Sequence, residues 1–362
     1  MIAKLRLKKQ QINPKRYSIR LLEKAHGIYE LSDKEAGTSV NILPHGSNLI
    51  GMSIDHGKIQ IIKGPKTFKE HPLTYGMPIL FPFPDRIKNG KFSFRGKTYQ
   101  LKPIIEGHAI HGLVYDKPWD VVNISESDDS ASLTYRLNSE SSKDIKDQFP
   151  FDFEISMTYT LKEGRLEILP KAVNNGSDIM PMGFGLHLYL NAPLTSAGTR
   201  DECLVMVPAD KYWEILPDNI PTGRLLDVSG ECDLRNWRKI EGIAGARYYT
   251  HLRLEDGKVV CSYYDPYAKV KVEIISDEVI KNTTVYSLKD QKFVCIEPLT
   301  CAVDGFNLES KGIDAGVIKL KPKQEFHCKV SIVPQKVEAP PIHTHKNLNR
   351  VNPSILRQKE RN

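Results

Sequence analysis

Residues 151–169 read FDFEISMTYTLKEGRLEIL, and the fold turns on this stretch. Phe151, Phe153, Ile155, Met157, Tyr159 and Leu161 fall at every second position, with acidic and hydroxyl side chains between them. A period of two puts all six on one face of an extended chain, whereas a helix needs apolar residues three and four apart. Glu163-Gly164 then turns the chain, and Leu166 and Ile168 resume the alternation. The segment reads as an antiparallel β-hairpin.

The same reading extends outward in both directions. In Lys91–Leu101, Phe92 and Phe94 alternate with polar residues, Arg95-Gly96-Lys97 makes the turn, and Tyr99 and Leu101 follow. Further on, Val260 and Tyr264 precede an Asp265-Pro266 turn, with Val270, Val272 and Ile274 after it. A last pair is expected from Val317–Leu320 and Phe326–Val333, separated by Pro322-Lys323-Gln324. No long amphipathic helical period and no fixed-length repeat interrupts the series. The expectation is an all-β protein, a large antiparallel β-sandwich rather than an α/β fold.

Bulk properties narrow the class. The 362 residues are 40% hydrophobic and 26% charged, an ordinary globular balance with material for a large core. No apolar run reaches the roughly 20 residues of a membrane-spanning helix. The start, MIAKLRLKKQQ, lacks the apolar core of a secretory signal, so a cytoplasmic location is expected. Six scattered cysteines without a CxxC read as reduced, mostly buried thiols rather than metal ligands.

The net charge of +7 resides at the ends: residues 1–24 carry +7, residues 335–362 carry +4, and the body between them −4. The expected division is a basic extension at 1–24, one β-sandwich domain at 25–334, and a polar, proline-containing tail at 335–362. Basic ends without interleaved aromatics give no nucleic-acid-binding motif. Neither a membrane nor a nucleic-acid partner is expected, and the oligomeric state is open.

Three segments are unusual as mere strands or turns. Gly76–Gly90 is GMPILFPFPDRIKNG, whose prolines forbid regular ladder bonding and present Arg86 from a stiff, extended loop. Gly107–Trp119 is GHAIHGLVYDKPW. His108 and His111 at this spacing allow a metal reading, but no motif supplies a third ligand, and two hydrogen-bonding histidines suit a polyhydroxylated ligand better. Trp119 reads as core. The third feature is a distant pair, GFGLHLYL at 183–190 and VCIEPLTCAVDGFN at 294–307. His187 sits in an apolar β-like run, and Glu297 ends an apolar strand just before Pro298; a carboxylate there is costly to desolvate without partners or work to do.

Taken in order, these motifs resemble the aldose 1-epimerase family across residues 25–334. YGMPILFPFPDRI resembles G-x-P-I-L-F-P-x-x-N-R-I, HAIHGLVYDKPW resembles H-x-x-H-G-x-x-R-x-x-x-W, GFGLHLYL resembles a G-x-H-P-Y-F segment, and CIEPLTCAVDGFN resembles C-x-E-P-x-T-x-x-x-x-A-x-N. The resemblance implies a supersandwich of the galactose mutarotase type. It implies His187 as general acid, Glu297 as general base, and Arg86 and His111 as substrate-binding residues. The implied reaction interconverts the α- and β-anomers of an aldose by ring opening and re-closure, with no cofactor and no metal.

Three departures accompany the match. Ala246-Arg247-Tyr248-Tyr249-Thr250 stands where the family has D-D-x-[FY]-T, Asp85 where it often has Asn, and Leu188 where it often has Pro. Arg247 in place of an acid raises a second reading, a hexose-6-phosphate mutarotase with a sugar-phosphate substrate, because arginine suits phosphate. A third is a non-catalytic carbohydrate-binding protein on the same fold.

Overall fold

The computed structural model describes residues 15–339, and every strand ladder among them is antiparallel. The diagnostic hairpin forms as expected. Phe153–Lys162 pairs with Arg165–Asn174 along its whole length, and Glu163 and Gly164 turn at φ 49° and 73°. Both angles lie in the left-handed region that tight hairpin turns require. Phe153, Ile155, Met157, Tyr159 and Leu161 are all fully buried.

Three sheets surround one core. Tyr17–Glu23, Ile28–Asp33, Thr38–Leu43, Asn48–Ile54 and Ile59–Gln60 form a five-stranded meander. The hairpin belongs to a ten-stranded sheet that also takes in Asp120–Glu126, Ala131–Asn138, Val330–Lys336, Val270–Asp277 and Lys258–Asp265. An eight-stranded sheet contains Ala209–Ile215, Gly245–Leu252, Asn282–Ser287, Phe293–Leu299 and Gly185–Leu186, with Leu188–Asn191 also paired to Phe293–Leu299. Leu31, Val40 and Met52 from the first sheet, Tyr159 and Val272 from the second, and Leu188, Val285 and Ile296 from the third share a single apolar cluster. Burial of that cluster from three sheets at once is what holds the sandwich together. Helix is confined to short segments, of which Lys143–Gln148 and Gly305–Ser310 are α-helical.

Two expectations need correction. Val317–Leu320 and Phe326–Val333 are not a hairpin. Ile318–Leu320 pairs with Met180–Met182, while Glu325–His327 and Val330–Lys336 both join the ten-stranded sheet. The turn at 321–324 moves the chain from one layer to another instead of folding it back on itself. The domain limits also shift. Tyr17–Glu23, assigned to the basic extension, is the edge strand of the first sheet, with Tyr17 in the core and its charged residues on the outer side. Asp33 anchors it by a two-point pairing with Arg16. At the other end the last strand runs on to Lys336. Residues 1–14 of the expected extension and 340–362 of the expected tail lie outside the described residues.

Candidate active site

Alternation within the eight-stranded sheet separates core from site. Leu186, Leu188, Leu190, Val294 and Ile296 point into the shared core. Their neighbours His187, Tyr189, Cys295 and Glu297 therefore project from the opposite face. Leu188 pairs with Ile296 and Gly185 with Leu299, so His187 lies opposite Glu297. Next along the same row come Thr284, paired with Glu297, and Tyr248, paired with Thr284. Tyr286, paired with Cys295, lies in the adjacent row of that face.

Two loops cover this face. Arg86–Ile87 of the proline segment pairs with Ala109–Ile110 of the histidine segment, and the His111 amide donates to the Asp85 carbonyl at 2.9 Å. Gly112 is required by this union. Its φ is 77°, and a Cβ there would lie 2.1 Å from the Phe81 carbonyl oxygen. Gly185 packs closely under the loop, and a Cβ there would displace the end of the Leu299 side chain, 2.4 Å away, and press on Pro84 Cβ at 3.3 Å. Behind Arg86, the Asp304 amide donates to the Arg86 carbonyl at 2.8 Å, and the Asp304 carboxylate accepts from the Lys88 amide at 2.9 Å. Asn307 donates to the Lys91 carbonyl at 2.9 Å. The VDGFN end of the fourth motif thus braces the loop that carries Arg86.

Three of the four residues singled out from sequence meet directly. His187 Nδ1 is 3.6 Å from Glu297 Oε1, close but outside hydrogen-bond range. The His111 and His187 rings meet edge to face with centroids 5.0 Å apart, and His187 stacks on Tyr189 at 4.5 Å. Arg86 is the fourth. Its charge is felt at His111, Tyr248 and Tyr286, which puts it over the same face. His108 does not join them: its Nδ1 accepts from the Asn89 amide at 3.0 Å and its Nε2 faces Asp218 at 3.6 Å. Trp119 is buried and donates to the Val114 carbonyl at 3.1 Å, a core role.

Burial drives the two central groups in opposite directions. Desolvation, aided by His111, holds His187 well below the usual histidine range. Desolvation, aided by the nearby Asp85 charge, pushes Glu297 well above the carboxylate range. His111 is brought down to about 3 by burial and by Arg86. Burial thus disfavours the charged form of each group, which favours a neutral imidazole beside a protonated carboxyl, the pair holding one proton between them.

Sequence reasoning missed Tyr248, Thr284 and Tyr286. The Thr284 hydroxyl is buried without a hydrogen-bond partner, and the buried Tyr248 hydroxyl lies beside the Asp85 carboxyl, near enough to Arg86 and Glu297 to respond to their charges. A buried polar group without a partner, as at Thr284, calls for an explanation, and a ligand position is one. Tyr248 could be read only as the filler of the altered acidic motif, because its place depends on strands paired across the sheet.

Arg247 corrects the reading built on it. Adjacent to Tyr248, it projects from the other face, where its guanidinium donates to the Glu231 carbonyl and, at 2.8 Å, to the Gly242 carbonyl. It does not line the pocket.

Among the described residues, one group brings three potential metal ligands together: His187, Cys295 and Glu297, with ligand atoms within 4.8 Å of one another. Burial pushes both the Cys295 thiol and the Glu297 carboxyl toward their protonated forms, so a cation would have to displace both protons to bind. All six cysteines are free, and only Cys232 is not buried. No helix among the described residues is long and apolar enough to cross a membrane.

Fold and site together define a galactose mutarotase-like β-sandwich with a buried imidazole–carboxylate pair on one sheet face. The chain belongs to the aldose 1-epimerase family, whose model matches residues 27–332. It is 28% identical over 267 residues to the uncharacterized protein YihR of Escherichia coli K12, covering 72% of this chain and 81% of that one. Galactose mutarotase of Rattus norvegicus is 30% identical over 157 residues, 42% of each chain. Among solved structures, a galactose mutarotase-like protein from Clostridium acetobutylicum has the same fold, with a TM-score of 0.78 at 23% identity over 89% of this chain and 98% of that one.

Proposed function

We propose that this protein is an aldose 1-epimerase that interconverts the α- and β-anomers of a monosaccharide. The observation that carries the reading is the His187–Glu297 pair, 3.6 Å apart and buried together on one sheet face. In the tautomer that carries the shared proton on His187, Glu297 takes the proton of the C1 hydroxyl while His187 delivers one to the ring oxygen, and the C1–O bond of the ring breaks. The aldehyde rotates about C1–C2. The two groups then exchange roles to close the ring from the other side, which returns each proton to its donor type. Arg86 and His111 hold sugar hydroxyls against this pair, and their loops exclude water from it.

The test is anomer exchange followed by saturation-transfer NMR on a panel of free aldoses, comparing the wild type with Glu297→Gln. Acceleration that the variant loses supports the reading. Sugar binding without acceleration assigns a carbohydrate-binding role instead. The sugar-phosphate reading rested on Arg247, and that side chain is engaged on the opposite face of its strand.

A further inference from the structure

Cys295 stands on the pocket face of the eight-stranded sheet and takes no part in the proton exchange. It lies two residues before Glu297 on Phe293–Leu299, pairs with Tyr189 on one side and Tyr286 on the other, and is buried among them and Phe293. Alternation puts its sulfur on the same side as the Glu297 carboxyl. One ligand atom each from His187, Cys295 and Glu297 falls within 4.8 Å of the other two.

A second observation points into the space between them. His187 is 5% exposed, and its Nδ1, 3.6 Å from Glu297 Oε1, is buried without a hydrogen-bond partner. With its proton on Nε2, a neutral imidazole presents at Nδ1 the lone pair that a metal ion takes. Zinc bonds of about 2.0–2.3 Å in a tetrahedral arrangement set neighbouring ligand atoms about 3.3–3.6 Å apart. His187 and Glu297 already stand at that spacing. The sulfur completes the set by an approach of about 1 Å, within the reach of a side-chain adjustment. One sulfur, one imidazole nitrogen and one carboxylate oxygen select a borderline-soft ion over magnesium or calcium, which take oxygen ligands.

We propose that His187, Cys295 and Glu297 form an inhibitory site for a divalent cation of the zinc class. Binding exchanges protons for metal. The Cys295 thiol gives up one proton and the His187–Glu297 pair gives up the one it shares, both to solvent, and the cation takes the freed lone pairs. A pair tied up in this way can neither accept the proton of a C1 hydroxyl nor donate one to a ring oxygen. The inhibition rests on the mutarotase reading; the binding does not.

The experiment uses the full chain and zinc or cobalt alone as the probe, in the wild type, Cys295→Ala, Cys295→Ser and Cys232→Ser. Cys232 is the one cysteine that is not buried, so its variant controls for adventitious capture at an exposed thiol. Competition with a chromogenic chelator should give one zinc per chain in the wild type. Both Cys295 variants should bind it more than about 100-fold more weakly, since even an outer partner of a metal ligand is worth 10–100-fold. Cobalt should give a thiolate charge-transfer band in the wild type and Cys232→Ser, and none in either folded Cys295 variant. No stoichiometric zinc, or a band that follows Cys232 instead of Cys295, overturns the proposal. In saturation-transfer NMR, zinc should stop anomer exchange by the wild type, a chelator should restore it, and magnesium should do nothing. Whatever its own rate, Cys295→Ala should keep that rate when zinc is added. Equal zinc inhibition of wild type and Cys295→Ala, or acceleration by zinc, overturns the inhibitory assignment. If no sugar is exchanged by any of the proteins, the mutarotase reading fails separately, and the chelator competition and the cobalt band decide the metal site.

Discussion

His187 and Glu297 stand across from one another on the pocket face of the eight-stranded sheet, Nδ1 to Oε1 at 3.6 Å, and His187 Nδ1 has no hydrogen-bond partner. Their separation is set by the antiparallel ladder between Leu188–Asn191 and Phe293–Leu299 rather than by a bond between the two side chains. Each group is thus free to meet a ligand atom. Glu297→Gln and His187→Asn should each slow anomer exchange by about 10²–10⁴-fold, the usual worth of one proton-transfer group. The double variant should lose little more than the worse single one, because the pair acts as a unit. Saturation-transfer NMR reads all three rates.

The pH dependence follows from the displaced proton affinities. The limb of the kcat/KM profile set by Glu297 should lie above the ordinary carboxylate range, because burial and the Asp85 charge both favour its protonated form. Removing that neighbouring negative charge in Asp85→Asn makes Glu297 easier to ionise, so the limb should move to lower pH. A shift upward, or none, would contradict the coupling. Difference infrared titration of the carboxyl band gives the same answer without turnover.

Tyr248→Phe separates ligand contact from structural support. The neighbour of the buried hydroxyl is the Asp85 carboxyl, so its removal should lower the melting temperature only slightly. If a bound sugar uses it, kcat/KM falls by about 3–10-fold, the worth of one neutral hydrogen bond. Thermal melting and exchange kinetics on the same preparation check both halves.

Arg247→Ala should leave exchange of free and phosphorylated sugars alike within a factor of about two, since its contacts, to the Glu231 and Gly242 carbonyls and the Glu231 carboxylate, lie on the other face of its strand. A selective loss with the phosphorylated sugar would restore the reading that the geometry removes.

Asp33→Asn tests the anchor of the first strand. Asp33 accepts from Arg16, from the Ala36 amide and from the Gly164 amide, which ties Tyr17–Glu23 to the turn of the central hairpin. The carboxyl is buried, yet these donors hold it below its usual value. Its folded pKa being depressed, its contribution is fully present above the unfolded value of about 3.9 and is lost as pH falls through the folded one. The variant should be less stable at pH 7 by about 2–3 kcal/mol, and the difference should shrink below about pH 4. Denaturant melts across that range measure it.

Period-two alternation made the hairpins at 91–101, 151–168 and 260–274 legible, and with them the all-β class. Where strands pair with distant partners the signal failed. The apolar runs at 317–320 and 326–333 look like neighbours but serve different sheets. Tyr17–Glu23 reads from sequence as part of the basic extension, and its one positive charge, Arg20, is exposed on an edge strand.

The sequence by itself singled out the residues proposed for the site. Arg86, His111, His187 and Glu297 stood out because prolines, positive-φ glycines and apolar surroundings are costly settings that ordinary strands and turns avoid. Only the tertiary structure decided which side chains share a face. Alternation says that Arg247 and Tyr248 point opposite ways, but not which of them looks toward Glu297. That choice belongs to the ladder Tyr248–Thr284–Glu297, whose register is set by burying Val285 and Ile296 in the common core. The same ladder sends Arg247 away from the pocket, and the pairing of the two covering loops holds Arg86 over it beside Asp85.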